Sequence, residues 1–432
     1  MKIALIQPNS PFLTDERVFP NIGLVRVGTQ LEYEGHDIKI YDFNNKNDKE
    51  ISSTMKKIAN DYDYYNFSST TPQFLYTKKI FDYLKEENPN AKTIIGGPHA
   101  SALYQLKQRG IKDINVNDLE IFDTIYAGEG EETSNMFKSG WQKGKLIKHI
   151  DDVLVPNRNL IDLNSYNYTL FDKDTTSIQT QRGCPHQCVF CCGRDIEMYN
   201  KVRTHSPKRV LEELDDLQLN YGYESFMWYD DEINLSNKRL EKLCIDLSTR
   251  PYQHRGFIRN DNIVKNPESV KYMKNAGFVK LAAGIESGSD RILNILNKKS
   301  DYKTNLKARQ IVGDAGVHYE GFMIIGHPSE TLDDIKLTRK WLLEAKPDDF
   351  DLNLLTPYPG SKIYNDSIPS TKFKDYGWEW KGLYFNKPRY QEEESYYKGL
   401  NKQSKSDIRT KTLSNEDLTN IRNDLEAEVR AK

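Results

Sequence analysis

The sequence predicts an α/β protein: an N-terminal Rossmann-like domain, then a partial TIM barrel of six β/α units, then a mainly helical C-terminal segment. Three observations carry this. Short apolar runs alternate with amphipathic stretches over residues 1–135, as in a doubly wound parallel sheet. A second alternation covers 175–361, with polar residues at its strand ends. At 432 residues the chain is long enough for two buried cores. Residues 136–174, with "VPNRNLIDLNSYNY", are polar and turn-prone and read as a linker; 362–432 form the last segment.

In the first domain the strands are "KIALIQP", "DIKIYDF", "DYYNFSS", "AKTIIGG" and "DTIYAGE", five in all. Helical patterns near 22–35, 50–60, 73–87 and 99–109 supply the crossovers. Ligands of such sheets lie beyond the carboxyl ends of the strands, so Pro8 to Phe12, Ser68 to Thr71, Gly96 to His99 and Gly128 to Gly130 should ring one site. The barrel strands are "TSIQTQRG", "SFMWYDDE", "RGFIRND", "VKLAAGIES", "YEGFMIIG" and "DFDLNLLTP". In "SPKRVLEELDDL", Ser206 is an N-cap, Pro207 sits in the first turn, and Val210, Leu214 and Leu217 form the apolar face. The strand ends bring together Cys184, Asp230, Asp231, Arg259, Glu286 and His327. After the barrel come the aromatic "YGWEWKGLYF" and a final helix capped by Ser414, with Leu418, Ile421, Leu425 and Val429 on one side.

Basic and acidic residues nearly cancel, 61 against 63, and no domain-sized block is cationic, which argues against nucleic acid and against a polybasic membrane patch. The opening "MKIALIQPNSP" is too short for a signal peptide core, and no stretch approaches a membrane span, so a cytoplasmic protein is expected. Five cysteines, odd in number and clustered, point to metal ligation or thiol chemistry in a reducing compartment rather than to disulfides. Cys244, alone on an apolar helix face, reads as a core residue.

Four cysteines crowd into "RGCPHQCVFCC". Cys184, Cys188 and Cys191 stand at C-x3-C-x2-C, and three thiolates on a four-iron four-sulfur cluster leave one iron open to another ligand. Cys192 is a poor fourth ligand, because adjacent residues cannot readily reach different corners of one cluster. A second reading is a structural zinc held by the three cysteines plus His186 or Cys192, although no second knuckle follows.

Taken together, "RGCPHQCVFC", "GIESGSDRILNILNKK", "GFMIIGHPSET" and "LLTPYPGS" resemble the radical S-adenosylmethionine enzymes. "IIGGPHAS", "YAGEGEE" and "VPNRNLIDL" resemble the N-terminal domain and linker of that family's cobalamin-binding subgroup. The resemblance covers about 1–365 and implies three cofactors: a 4Fe-4S cluster, S-adenosyl-L-methionine and cobalamin. It implies that Cys184, Cys188 and Cys191 hold the cluster, whose open iron is chelated by the amino and carboxylate groups of S-adenosylmethionine on the way to a 5′-deoxyadenosyl radical. Phe190 would pack near the adenine, though an ordinary core aromatic reads the same way. Among Asp230, Asp231 and Glu232 at least one would hold the ammonium group, and at least one is a solvated strand-end charge. Arg259 could meet the carboxylate, Glu286 the ribose, and Gly326 and Pro328 would shape the backbone against the adenine. For Arg259 and Glu286 a barrel-mouth ion pair is the other reading, and for His327 a hydrogen-bonded turn residue.

For cobalamin the resemblance implies contacts at Phe12, Thr70, Gly96, Gly97, His99, Gly128 and Glu129. The first domain has no D-x-H-x-x-G, so His99 is not assigned to cobalt, and cobalamin is expected with its own base displaced. The implied activity is methylation of an unactivated carbon of a small molecule, with flavodoxin or ferredoxin as electron donor. A related enzyme that cyclises, rearranges or oxidises without methyl transfer is the alternative, and a zinc-stabilised binding protein a third.

Overall fold

The computed structural model describes residues 1–11, 13–390 and 407–431, and every structural statement concerns these residues. The first alternation forms β1 (Lys2–Gln7), β2 (Asp37–Asp42), β3 (Tyr64–Ser68), β4 (Thr93–Gly96) and β5 (Thr124–Ala127). Ile3 to Ile6 of β1 are buried on both faces, which is why this central strand reads as a continuous apolar run. A further strand, β6 (Gly140–Lys143), pairs in parallel with β5, so the sheet has six strands in the order β2-β1-β3-β4-β5-β6 rather than the five expected. β6 lies within the stretch read as linker; its "GWQK" is half exposed and shows no alternation. The strand order reverses at β1 and β3, opening a crevice at the carboxyl ends.

A short β7 (Thr169–Leu170) runs antiparallel to β8 (Lys173–Ile178). β9 (Gln181–Arg182) and β10 (Arg203–Thr204) form a two-residue antiparallel ladder. β8 then continues in a parallel sheet with β11 (Ser225–Trp228), β12 (Gln253–Ile258), β13 (Phe278–Glu286), β14 (His318–Ile325) and β15 (Asp349–Leu354), the six barrel strands expected. The helix Pro207–Tyr221 starts where the Ser206 hydroxyl accepts the Arg209 N–H at 3.3 Å, buries Val210, Leu214 and Leu217, and stops at Gly222 with φ +78°. Cys244 is buried on the helix Asn237–Leu247.

The C-terminal segment contains the expected helix, Asn415–Arg430, capped by Ser414. It also contains an antiparallel sheet that the sequence pattern did not reveal: β16 (Ile368–Phe373), β17 (Tyr376–Trp380), β18 (Leu383–Phe385) and β19 (Ile408–Thr410). Trp380, Tyr384 and Phe385 are buried within it. The terminal helix covers the free edge of β15, where Arg422 Nε donates to the Leu352 carbonyl at 2.9 Å and Arg430 Nη2 to that of Phe350 at 2.8 Å. Among the described residues no helix is long and apolar enough to cross a membrane.

The loop after β14 is pinned against this segment. Gly326 has φ +87°, and a Cβ there would stand 2.6 Å from Ile408 Cδ1, so only glycine fits. Glu330, fully buried, accepts the N–H groups of Gly326 (2.6 Å) and His327 (3.1 Å), and burial pushes its carboxyl from 4.5 up to about 8. The folded value lies above the unfolded one, so this group's stabilisation is complete below the unfolded value and drains away as pH rises toward 8. Glu330→Gln keeps an acceptor without the titration. Thermal unfolding should show the variant gaining several degrees on the wild type between pH 5 and pH 8; a constant difference would contradict the assignment.

Candidate functional site at the domain junction

The cysteine loop hangs from the β9/β10 ladder, in which Arg182 pairs with Arg203. Its entry has no slack: Gly183 has φ +86°, and a Cβ there would lie 2.3 Å from the Lys201 carbonyl oxygen. The Cys184 N–H donates to the Tyr199 carbonyl at 2.8 Å, tying the two ends together. The tip is held by the Val189 N–H on the Leu296 carbonyl (3.1 Å) and the Ile363 N–H on the Val189 carbonyl (3.2 Å). These anchors hold Cys191 electrostatically close to both Cys184 and Cys188, with Asp231 beside Cys184 and Cys191. Burial pushes the Cys184 thiol up to about 12 and raises Cys191, so bare they are thiols, and only a metal group would draw them into the thiolate form. Arg259 and Lys298 lie on the Cys188 side, cations suited to an anionic cluster. The donor set therefore fits an iron–sulfur cluster held by three thiolates.

Cys192 adjoins Cys191 but packs elsewhere. Its carbonyl abuts Gly360, where a Cβ would come within 2.5 Å, and its thiol, raised to about 12 by burial, faces Tyr199 and Tyr390. A mononuclear alternative also exists: ligand atoms of Cys184, His186 and Glu232 lie within 4.8 Å of one another, with His186 Nε2 at 2.8 Å from Glu232 Oε2.

The residues expected to meet S-adenosylmethionine divide by geometry. Asp230 is fully buried and points away from the cavity: it accepts the Thr180 N–H at 2.6 Å, the Thr180 hydroxyl at 2.5 Å and the Gln181 N–H at 2.8 Å, with Arg239 nearby. This corrects the expectation for Asp230, whose acceptors are consumed in tying β11 to the end of β8. Asp231 is open to the cavity, and the surrounding protein together with Asp230 lifts its carboxyl to about 6. Arg259 donates from Nε to Asp261 (2.9 Å) and from Nη2 to the Lys298 carbonyl (2.6 Å). Glu286, at φ +67° on a bulge in β13, is buried and paired with Lys298 Nζ at 2.7 Å. Phe190 is half buried against the core, and Pro328 is buried. His327 is fully buried with Nε2 on the Glu286 carbonyl at 3.3 Å, and burial drops it to about 4, so it is a neutral turn residue.

A cavity of about 540 Å³ opens between the two sheets at their carboxyl ends. Thr70, Gly96, Gly97, Gly128 and Glu129 line it from the first domain. Arg182, Gly183, Met198, Tyr199, Tyr229 and Asp231 line it from the barrel, so both ends of the cysteine loop are cavity wall. Gly97 has φ +91°, and a Cβ there would meet the Ser69 backbone N and O at 3.0 Å each. Gly97 thus answers to the chain's own close approach to Ser69, and the corrin fit rests on these residues lining the cavity. Phe12 lies outside the described residues. His99 is a correction: it is fully buried off the cavity, with Nδ1 3.0 Å from the Thr71 hydroxyl and its ring 4.6 Å from that of Phe74, and burial lowers it to about 3.

Sequence reasoning missed a buried ion cluster at this junction. Glu129 receives Arg182 Nη1 and Arg203 Nη1, each at 2.7 Å, and the Ile147 N–H at 2.8 Å. Arg182 Nη2 reaches Glu131 at 2.5 Å. The four side chains are 4–9% exposed. Burial opposes ionisation of Glu131, but Arg182 and Arg26 overcome it and hold its carboxyl low. The signal, an arginine in "QRGC" and glutamates in "GEGEE", was visible; their pairing across more than fifty residues of chain was not.

The sequence model of the radical SAM superfamily matches residues 178–342, and that of the B12 binding domain residues 12–134. The chain is 27% identical over 410 residues to the uncharacterized methyltransferase PH0819 of Pyrococcus horikoshii, covering 88% of this chain and 85% of that one. It is 22% identical over 327 residues to the anaerobic magnesium-protoporphyrin IX monomethyl ester cyclase of Rubrivivax gelatinosus, covering 69% of this chain and 57% of that one. In fold it is similar to the radical S-adenosylmethionine methyltransferase TsrM of Kitasatospora setae, with a TM-score of 0.63 at 13% identity, over 84% of this chain and 77% of that one.

The two aspartates should separate by experiment. Asp230→Ala strands two backbone donors and the Arg239 charge in the interior and should cost about 3 kcal/mol or more in denaturant unfolding. Asp231→Asn should stay within about 0.5 kcal/mol of wild type. Equal losses would contradict this division.

Proposed function

Because the chain belongs to the cobalamin-binding radical S-adenosylmethionine enzymes, we propose that it methylates an unactivated carbon of a small molecule. One observation carries the reading: both ends of the loop that bears the three cysteines are wall of the cavity, and the glycines of the B12 binding domain line it from the other side. Substrate held there would face both cofactors at once. The 27% identity to a methyltransferase along most of both chains supports methyl transfer over cyclisation.

Cys184, Cys188 and Cys191 would hold the cluster, and Cys192 would not. Asp231 is the acid available to an ammonium group, with Glu232 beside Cys184. Arg259, among the described residues, meets no acceptor at Nη1 and can present that edge to a carboxylate. Glu286 can accept from a ribose hydroxyl while paired with Lys298. Phe190, Gly326 and Pro328 shape the adenine side, and Thr70, Gly96, Gly97 and Gly128 the corrin side. Glu129 lines the cavity with its oxygens already committed to two arginines and so fixes the wall. When bound, the cluster with S-adenosylmethionine supplies radical chemistry and cobalamin supplies the methyl group. The chain's part is to hold, orient and exclude water. A cluster of this kind needs a one-electron donor, and a flavodoxin or ferredoxin of a reducing cytoplasm is the proposed partner.

Anaerobic turnover with S-adenosylmethionine labelled in its methyl group tests the reading. Methylation yields S-adenosylhomocysteine and 5′-deoxyadenosine together, with label in the product; 5′-deoxyadenosine without labelled product would instead favour the cyclase-like alternative. Cys184→Ala, Cys188→Ala and Cys191→Ala should each lose the iron–sulfur absorbance after reconstitution, whereas Cys192→Ala should keep it. Zinc near one equivalent without iron or sulfide would overturn the reading.

A further inference from the structure

Arg182 holds both sites at once. Its guanidinium grips Glu129 (2.7 Å) and Glu131 (2.5 Å), which sit on the loop leaving β5 at the edge of the cavity, and it lies two residues before Cys184. Arg203, at the other end of the cysteine loop, holds the second oxygen of Glu129 and the Met198 carbonyl, at 2.7 Å each. Met198 and Tyr199 line the cavity, and Tyr199 carries the Cys184 N–H on its carbonyl. Neither end can move without the other, because the ladder and the Gly183–Lys201 contact lock them together.

We propose that Arg182 is a positioning residue that couples the two cofactor sites, so that a cluster on the cysteine loop tightens cobalamin binding in the cavity. The inference rests on the cluster being held by Cys184, Cys188 and Cys191. With the cluster bound, the loop between β9 and β10 is cross-linked and its ends are ordered as wall. Without it, the ordering cost falls on cobalamin binding instead. A fixed fork is needed: a lysine in place of Arg182 keeps the charge but cannot grip two carboxylates in one plane.

The test is a linkage cycle on the full chain. Affinity for hydroxocobalamin is measured by anaerobic equilibrium dialysis, with the cluster reconstituted and with iron and sulfide omitted. In the wild type the cluster should tighten binding by about fivefold or more. In Arg182→Lys and in Glu131→Gln that ratio should fall to within about twofold of one, whatever the change in cluster-free affinity. A residue that merely supports the fold would weaken both measurements alike and leave the ratio intact. Glu131→Gln keeps the Arg182–Glu129 pair, so it answers the question even where Arg182→Lys fails to fold by circular dichroism. An unchanged ratio in a folded variant, or a wild-type ratio of one with both cofactors bound, would overturn the inference. Failure of the wild type to take up a cluster at all would instead overturn the cluster assignment beneath it.

Discussion

The structure depends on the Glu129 carboxylate, shared between Arg182 and Arg203 inside the domain junction. Bringing these charges out of water is unfavourable unless every one is paired, and removing one partner from such a cluster typically costs about 3–5 kcal/mol. The junction is therefore nearly all-or-none. Glu129 and Glu131 follow β5, and Arg182 and Arg203 are the stem of the cysteine loop, so satisfying them sets the carboxyl ends of the two sheets face to face. The cavity is a consequence of that constraint. Arg26 from the first helix strengthens it by donating to the Gln179 side chain and backbone carbonyl at the end of β8.

Much of the fold was legible because parallel strands buried on both faces read as apolar runs. β1 is the clearest case, and the six barrel strands appeared where the second alternation put them. Capping residues did the same for helices, as Ser206 and Ser414 illustrate. What escaped was the edge structure. β6 contributes "GWQK" with one large apolar side chain, and β16 is mostly exposed and contains a proline, so neither shows a period-two pattern. β18 and β19 span three residues each, too short for any periodicity.

At the site, local chemistry was legible and long-range pairing was not. Cysteine spacing is a property of one loop. Asp230 and Asp231 lie in the loop after β11, where one turns into the Thr180 and Gln181 amides and the other faces the cavity, a split that no strand pattern encodes. His99 read as a cobalamin contact because it follows a double glycine, but as the second residue of the helix Pro98–Gln108 it turns back onto Phe74 and Thr71. The arginine–glutamate cluster joins residues more than fifty positions apart, which no local pattern encodes.

Three cysteines on a four-iron cluster would leave one iron open for S-adenosylmethionine. Electron–nuclear double resonance of the reduced cluster tests it most directly, using S-adenosylmethionine carrying ¹⁵N in its amino group and ¹⁷O in its carboxylate. Hyperfine coupling from both labels to the cluster is expected, unchanged in Cys192→Ala. An intact cluster that couples to neither label would contradict it.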